Sequence, residues 1–262
     1  RPLASGELVL TAALIEPGTE PERPLTTARP QDGGAWLLDG TKICVAAGTV
    51  AGAYLVPARV GERVGVFIVG AGAAGLTVTP QMTTSDIPEA HIELDGVRVG
   101  PEDVLGQPEQ GEEILAWMRQ RATSGLCSFV AGTCQAALKL TAEYAVTRKQ
   151  FDRAIATFQA VGQRAADAYV DTEAVSITAR QAAWRISAGL PAEEQVAIAK
   201  FWAADGGQRV VHAAQHIHGG IGVDRSYPLH RYFLAAKQAE LTLGGATANL
   251  LRLGAMMAAE TV

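Results

Sequence analysis

Ten of the twelve prolines in this 262-residue chain lie at or before Pro108, and only Pro191 and Pro228 follow. Proline has no backbone N–H and clashes with the carbonyl one helical turn earlier, so it is kept out of helix interiors and tolerated at turns and strand edges. The chain therefore divides into a part that cannot carry long helices and a part that can. Before Pro108, short strand-like runs, "GELVLTAAL", "AWLLDGTKICVA", "GAYLVPAR", "RVGVFIVG", "GLTVTP" and "AHIELDGVRV", alternate with Gly, Pro and Asp turns. Close spacing of such runs predicts a small antiparallel β-barrel or sandwich.

From about Glu112 the apolar period becomes helical, with Ala/Leu/Val-rich stretches at 111–147, 158–188, 192–214 and 229–258. A four-helix bundle is expected there, broken at "KQFDRAIA", "GLP" and "HGGIGVDRSYP". The fold class is α+β, with a β-domain at 1–107, a helical domain at 108–262 and the boundary in the loop at 106–113. Helical stripes such as Leu126, Val130, Leu138 and Tyr144, and a last helix "ANLLRLGAMMAA" apolar on much of its circumference, predict surface covered by a partner.

A formal charge of −5, a pI near 5.6 and the lack of any Lys/Arg run exclude an electrostatic footprint for nucleic acid or anionic membrane. No apolar run approaches the roughly 20 residues of a membrane span, and the start "RPLASGELVL" has no signal-peptide core, so the default location is cytoplasmic. Cys44, Cys127 and Cys134 form no CxxC pair and read as buried thiols. An opening on Arg1 rather than Met suggests the C-terminal part of something longer.

Two segments can carry chemistry. "HAAQHIHGGIGVDRSYPLHR" (212–231) holds His212, His216, His218 and His230, two of them one turn apart, but no carboxylate or cysteine at ligand spacing. No metal is expected; Gly219, Gly220 and Gly222 suit backbone that approaches a ligand closely. "RKQFDRAIATFQ" (148–159) reads either as a solvated helix-loop-helix connection or as an anion clamp, in which the arginine fork offers two parallel donors to a pyrophosphate.

In this order and spacing, "LIEPGTEP…TTA…WLLDGTKICVAAGTVAGAYLVPAR", "RKQFDRAIATFQ", "QHIHGGIGVDRSYPLHRYF" and "LGGATANLLR" resemble the acyl-CoA dehydrogenase family over essentially the whole chain. They are similar to its middle β-domain and C-terminal helical domain; the family's N-terminal helical domain has no counterpart in these residues. The resemblance implies FAD as cofactor and dehydrogenation of a CoA thioester, with a carboxylate removing the proton alpha to the carbonyl. It also implies electron-transfer flavoprotein as a partner. Arg148, Gln150, Phe151, Ile155 and Phe158 would lie along the adenine and pyrophosphate of the FAD held by a neighbouring subunit, together with Gln215, His216, Gly219 and Gly220.

The resemblance breaks at the base. The family's usual glutamate falls on Leu243, followed by Gly244 and Gly245; the alternative position near the start of the first long helix falls on Gln120 or Ala122. The nearest acids, Glu112, Glu113 and Glu240, are expected to face solvent. In the β-domain the family's threonine in "LTEP" is Ile15, and its Trp-Ile-Thr or Trp-Ile-Ser run is Cys44-Val45-Ala46. A buried flavin edge deprived of such partners loses roughly 1–3 kcal/mol per group.

One half of the family's site is thus kept and the other is not. That asymmetry fits a subunit that contributes FAD contacts to a catalytically complete homologue, and "GGIGVDRSYPLHRYFLAAKQ" looks most like the heterotetrameric acyl-CoA dehydrogenases of actinobacterial steroid side-chain breakdown. Two alternatives stay open: a stand-alone flavoenzyme with a displaced base, such as Glu240 or Asp224, and a non-catalytic structural homologue.

Overall fold

A computed structural model describes residues 2–107 and 110–259; Pro108 and Glu109, where the expected domain boundary falls, lie outside the described residues. Contacts divide the chain into two compact units, Arg1–Arg119 and Gln120–Val262.

After a short helix α1 (Pro2–Ser5), the first unit is built from β1 (Leu10–Ala12), β2 (Thr27–Pro30), β3 (Trp36–Ala46), β4 (Ala53–Val60), β5 (Arg63–Gly70), β6 (Leu76–Gln81) and β7 (Glu89–Val99). They make one sheet in the order β1-β4-β2-β3-β7-β6, with β5 on β4. The sheet is mixed: β1 and β2 each pair with β4 in parallel, and the remaining pairings are antiparallel. Inward-facing Leu38, Val56, Phe67, Val69, Ile92 and Val97 fill its core. Strand β2, "TARP", has too few apolar residues to announce itself in the sequence.

Residue 40 must be glycine because a Cβ there would lie 2.5 Å from Thr26 Oγ1 and 2.7 Å from its Cα. The glutamate of "LIEP" is a hub of the β-unit. Buried Glu16 accepts the Lys42 ammonium at 2.5 Å and the backbone N–H groups of Leu25 (2.5 Å) and Thr26 (3.1 Å), and Lys42 also donates to the Pro57 carbonyl at 2.7 Å. Burial works against the carboxylate, but Lys42, Thr26 and the Leu25 amide together hold Glu16 below its ordinary value.

The second unit is helical: α2 (Gly111–Thr147), which begins in the first unit, then a two-stranded hairpin β8 (Lys149–Gln150) and β9 (Arg153–Ala154), α3 (Gln159–Ser187), α4 (Glu193–His218), α5 (Leu229–Leu241) and α6 (Ala246–Ala259). Small residues set the packing: Ala168, Thr172, Val175, Ala179 and Ala182 form the inner face of α3, and a Cβ on Gly207 of α4 would lie 2.8 Å from Val130. Val130 is buried here, and Leu126 and Leu138 pack on the same cluster, so this stripe is bundle interior rather than a partner face. Helix α6 differs, with Leu250, Leu251 and Met257 exposed.

The helical stretch at 229–258, two apolar runs joined by the pair Gly244-Gly245, is two helices. Leu243 at φ +58° and Gly244 at φ +91° adopt left-handed backbone that ends α5. Buried Lys200 donates to the Ala239 and Glu240 carbonyls at 3.0 Å each, covering the end of α5, while buried Asn249 donates to the Gly244 and Gly245 carbonyls at 3.0 Å. Cys127 and Cys134 are buried, as expected, and burial pushes both thiols up to about 12. Cys44 is instead half-buried.

Candidate functional site

The segment 148–158 is a β-hairpin rather than a plain helix-loop-helix connection. Lys149 pairs with Ala154 and Gln150 with Arg153, and the Ile155 N–H closes the loop on the Arg148 carbonyl at 2.8 Å. Phe151 and Asp152, at φ +53° and +63°, form the two-residue turn. Both central residues at positive φ are the signature of a type I′ turn, whose twist suits a hairpin. The turn thrusts the Phe151 ring out to 87% exposure. Phe158 receives it edge-on at 6.2 Å and carries the Arg153 guanidinium 4.2 Å from its centroid. Arg148 and Gln150 are exposed beside this aromatic pair, and Ile155 is half-buried.

The second segment is the end of α4. Gly219, at φ +63° and ψ −141°, occupies backbone open essentially to glycine, and its N–H caps the Gln215 and His216 carbonyls. No atom lies within 4 Å of a Cβ placed on Gly219 or Gly220, so this backbone faces open space. His216 is exposed. Gln215 Nε2 is buried and has no hydrogen-bond partner among the described residues; it would lie 2.8 Å from a Cβ on Gly222. A buried amide without a partner is costly.

His218 joins the two segments. Its ring stacks on Tyr144 with centroids 4.4 Å apart and planes 18° apart. Its Nδ1–H donates to the Ala214 carbonyl at 2.9 Å, and its Nε2 shares a hydrogen bond with the Tyr227 hydroxyl at 3.1 Å. Burial lowers its pKa against the opposing Ala214 bond. Since the Arg148 N–H donates to the Tyr144 carbonyl at 2.8 Å, the stack connects the start of the hairpin to the glycine turn. The sequence does not foretell the stack of His218 on Tyr144; Tyr144 one turn before Arg148 is the available signal. His212 meets Phe233 edge-on at 4.9 Å and His230 Nδ1 bonds the Tyr227 carbonyl at 2.6 Å. Among the described residues no group of three or more His, Cys, Asp or Glu could hold a metal ion.

At the positions where the resemblance is expected to place a base, half-buried Leu243 sits in the α5–α6 turn, Gln120 is half-buried and Ala122 exposed. Glu112 and Glu113 are exposed. Glu240 is not: it is half-buried and paired with Lys237 at 2.6 Å, correcting the expectation that it faces solvent. Asp224 is exposed and accepts both the N–H and the hydroxyl of Ser226 at 2.8 Å, and these two bonds lower its pKa. In the β-unit the Ile15 carbonyl accepts Ile43 N–H at 2.9 Å. Cys44, at φ +51° beside a bulge, has its N–H already bound to Gln81 Oε1 at 2.6 Å.

The family described as "Acyl-CoA dehydrogenase, C-terminal domain" matches residues 112–258. The chain is 44% identical over 262 residues to "Acyl-CoA dehydrogenase FadE27" of Mycobacterium tuberculosis, an alignment covering 97% of this chain and 68% of that protein. The chain belongs to the acyl-CoA dehydrogenase family. Solved structures share its fold: a chain of the ChsE4–ChsE5 complex from Mycobacterium tuberculosis superposes with a TM-score of 0.91 at 44% identity, over 98% of this chain and 68% of the other. The Tcur3481–Tcur3483 steroid ACAD, a variant, does so with a TM-score of 0.91 at 38% identity, over 99% and 70%. This acyl-CoA dehydrogenase sequence thus spans roughly two thirds of each of these relatives.

Proposed function

We propose that this chain is the base-lacking subunit of a heterotetrameric, FAD-dependent acyl-CoA dehydrogenase acting on a steroid side-chain CoA thioester. Residues 1–107 serve as its middle β-domain and 108–262 as its C-terminal domain. The single observation that carries the reading is Leu243: the α5–α6 turn is built and braced by Lys200 and Asn249, yet the residue at the family's base position cannot take a proton.

The C-terminal residues fit FAD bound by a homologous partner. The exposed Arg148 guanidinium offers paired donors to a pyrophosphate, Phe151, Ile155 and Phe158 offer an apolar wall, and Gln150 lies on the same hairpin. The Gly219–Gly220 backbone is open to a ligand with His216 exposed beside it, and Gln215 holds an amide in need of an acceptor. The β-unit does not fit an isoalloxazine edge: Ile15 has no hydroxyl, and the Cys44 N–H is taken by Gln81. When bound, FAD supplies the hydride acceptor; this chain orients it, while the proton acceptor, most of the acyl-CoA contacts and the docking of electron-transfer flavoprotein belong to the partner-containing assembly. No helix among the described residues is long and apolar enough to cross a membrane, in keeping with the cytoplasmic location we assign. The names of the two solved complexes, each a pair of chains and one called a steroid ACAD, support the heteromeric reading.

The test is to produce the chain with a tag, alone and together with a homologous acyl-CoA dehydrogenase subunit that has the glutamate, and to measure flavin absorbance per chain after purification. A colourless lone chain and a yellow pair with one flavin for two chains is the expected result. A lone chain that holds one flavin per chain overturns the proposal in favour of a stand-alone enzyme.

A further inference from the structure

Three rings meet where α4 ends, each from a different element. His218 closes α4, Tyr144 lies in the last turn of α2, and Tyr227 stands just before α5. The His218 ring stacks on Tyr144 and is tilted against Tyr227 with centroids 5.3 Å apart, while Tyr144 meets Tyr227 edge-on at 6.3 Å. None of the three is among the residues assigned above to the cofactor, yet the cluster holds both segments that are. The loop 219–226, which opens with Gly219 and Gly220, leaves α4 at His218 and returns at Tyr227, so the 3.1 Å hydrogen bond between His218 Nε2 and the Tyr227 hydroxyl ties its two ends together. Within the loop Gly222 packs closely on Gln215, which seats it on α4. Across the stack, the Tyr144 carbonyl accepts the Arg148 N–H and fixes where the hairpin leaves α2. Segments held in this way have fewer conformations to lose when a ligand binds, which raises affinity without a new contact.

What the two segments offer suits one half of a dinucleotide. Exposed Phe151, set against Phe158, presents an aromatic face on which a planar base can stack, exposed Arg148 offers paired donors to phosphate, and the Gly219–Gly220 backbone faces open space. FMN carries the isoalloxazine and a single phosphate; FAD carries an adenylyl group besides. We propose that Tyr144, His218 and Tyr227 are positioning residues for the adenylyl half of the cofactor, and that through them this chain makes the assembled site select FAD over FMN. This role rests on the reading of the chain as a subunit that contributes FAD contacts to a partner.

Fluorescence titration of the flavin-free complex with a homologous glutamate-bearing subunit, using FAD and FMN in turn, tests the proposal. The parent complex is expected to bind FAD about a hundredfold or more tighter than FMN. Tyr144→Leu, which removes the stack, and Tyr227→Phe, which removes the tie between the loop ends, are each expected to lower FAD affinity about five- to tenfold and to leave FMN affinity within about twofold. Tyr144→Phe keeps the ring, loses only the long 3.5 Å contact of the hydroxyl with the His218 carbonyl, and is expected to behave as the parent. Circular dichroism confirms folding of each variant; if Tyr144→Leu fails to fold, Tyr227→Phe, which removes a single oxygen, decides. Equal losses for FAD and FMN, variants without effect on FAD, or a parent complex without preference overturn this role and leave the subunit reading standing. A parent complex that binds neither nucleotide overturns that reading and this role with it.

Discussion

The Tyr144 and His218 rings stack at 4.4 Å, and this contact, with Tyr144 also edge-on to Tyr227 at 6.3 Å, registers the end of α2, with Arg148 and its hairpin, against the glycine turn that ends α4. Each segment alone is a short irregular connection. Held together by a buried histidine whose two nitrogens are both bonded, they become one preformed surface on the helical unit.

His218 makes this surface sensitive to acid. Burial holds its folded pKa below the unfolded value of 6.5, so as pH falls below about 6.5 the unfolded chain binds a proton that the folded chain refuses, and stability is lost. The thermal midpoint is expected to fall between pH 7 and pH 5.5, and His218→Phe is expected to flatten that slope. Differential scanning calorimetry across this range checks it.

Lys200 works in the opposite pH range. Burial, opposed by Cys127 and Glu240, lowers its pKa from 10.5 to about 8. Between about pH 8 and 10.5 the unfolded chain therefore holds the extra proton, so the Lys200 contribution to stability rises with pH by up to about 3 kcal/mol, while the buried Cys127 and Cys134 thiols contribute a fall over the same range. Lys200→Met is expected to make the change in stability from pH 8 to pH 10 more negative than in the parent, as read by urea denaturation at both pH values. An unchanged difference would mean that Lys200 does not titrate there.

In the β-unit, Glu16→Gln leaves the Lys42 ammonium buried without its counter-charge. A loss of about 3–5 kcal/mol in unfolding free energy is expected, measured by urea denaturation, whereas Arg29→Gln, which breaks the exposed pair with Asp39, is expected to cost less than about 1 kcal/mol.

Arg148→Ala separates cofactor binding from folding. Its side chain is exposed, so the thermal midpoint of the lone chain is expected to stay within about a degree or two of the parent, since exposed substitutions cost little. The flavin affinity of the assembled pair is expected to fall about tenfold or more with the loss of a charged donor. Fluorescence titration of the pair with FAD gives that number.

How much of this was legible in the sequence follows from which forces act locally. Proline placement and apolar period marked strands β1 and β3 to β7 and helices α2 to α4, because those signals are repeated over many residues. Hairpin β8–β9 was not legible, since its tight turn uses Phe151-Asp152 instead of the glycine or asparagine that advertises positive φ. The α5–α6 break was announced by Gly244-Gly245 but hidden within an otherwise continuous apolar run. The Glu16–Lys42 pair and the carbonyl cap by Lys200 join residues 26 and 39 or 40 positions apart, and no local pattern foretells them. The candidate site was nominated by resemblance, residue by residue; what the sequence did not contain was the Tyr144–His218 contact that brings its two segments together.

The central claim is that this chain contributes to a flavin site whose proton acceptor lies in another subunit. Its most direct test is ferricenium reduction with a steroid side-chain CoA thioester, assayed for the chain alone and for its complex with a glutamate-bearing homologous subunit. The account predicts no turnover by the lone chain, even with added FAD, and turnover by the complex that is lost when the partner's glutamate is changed to glutamine. Turnover by the lone chain, or by a complex without that glutamate, would contradict it.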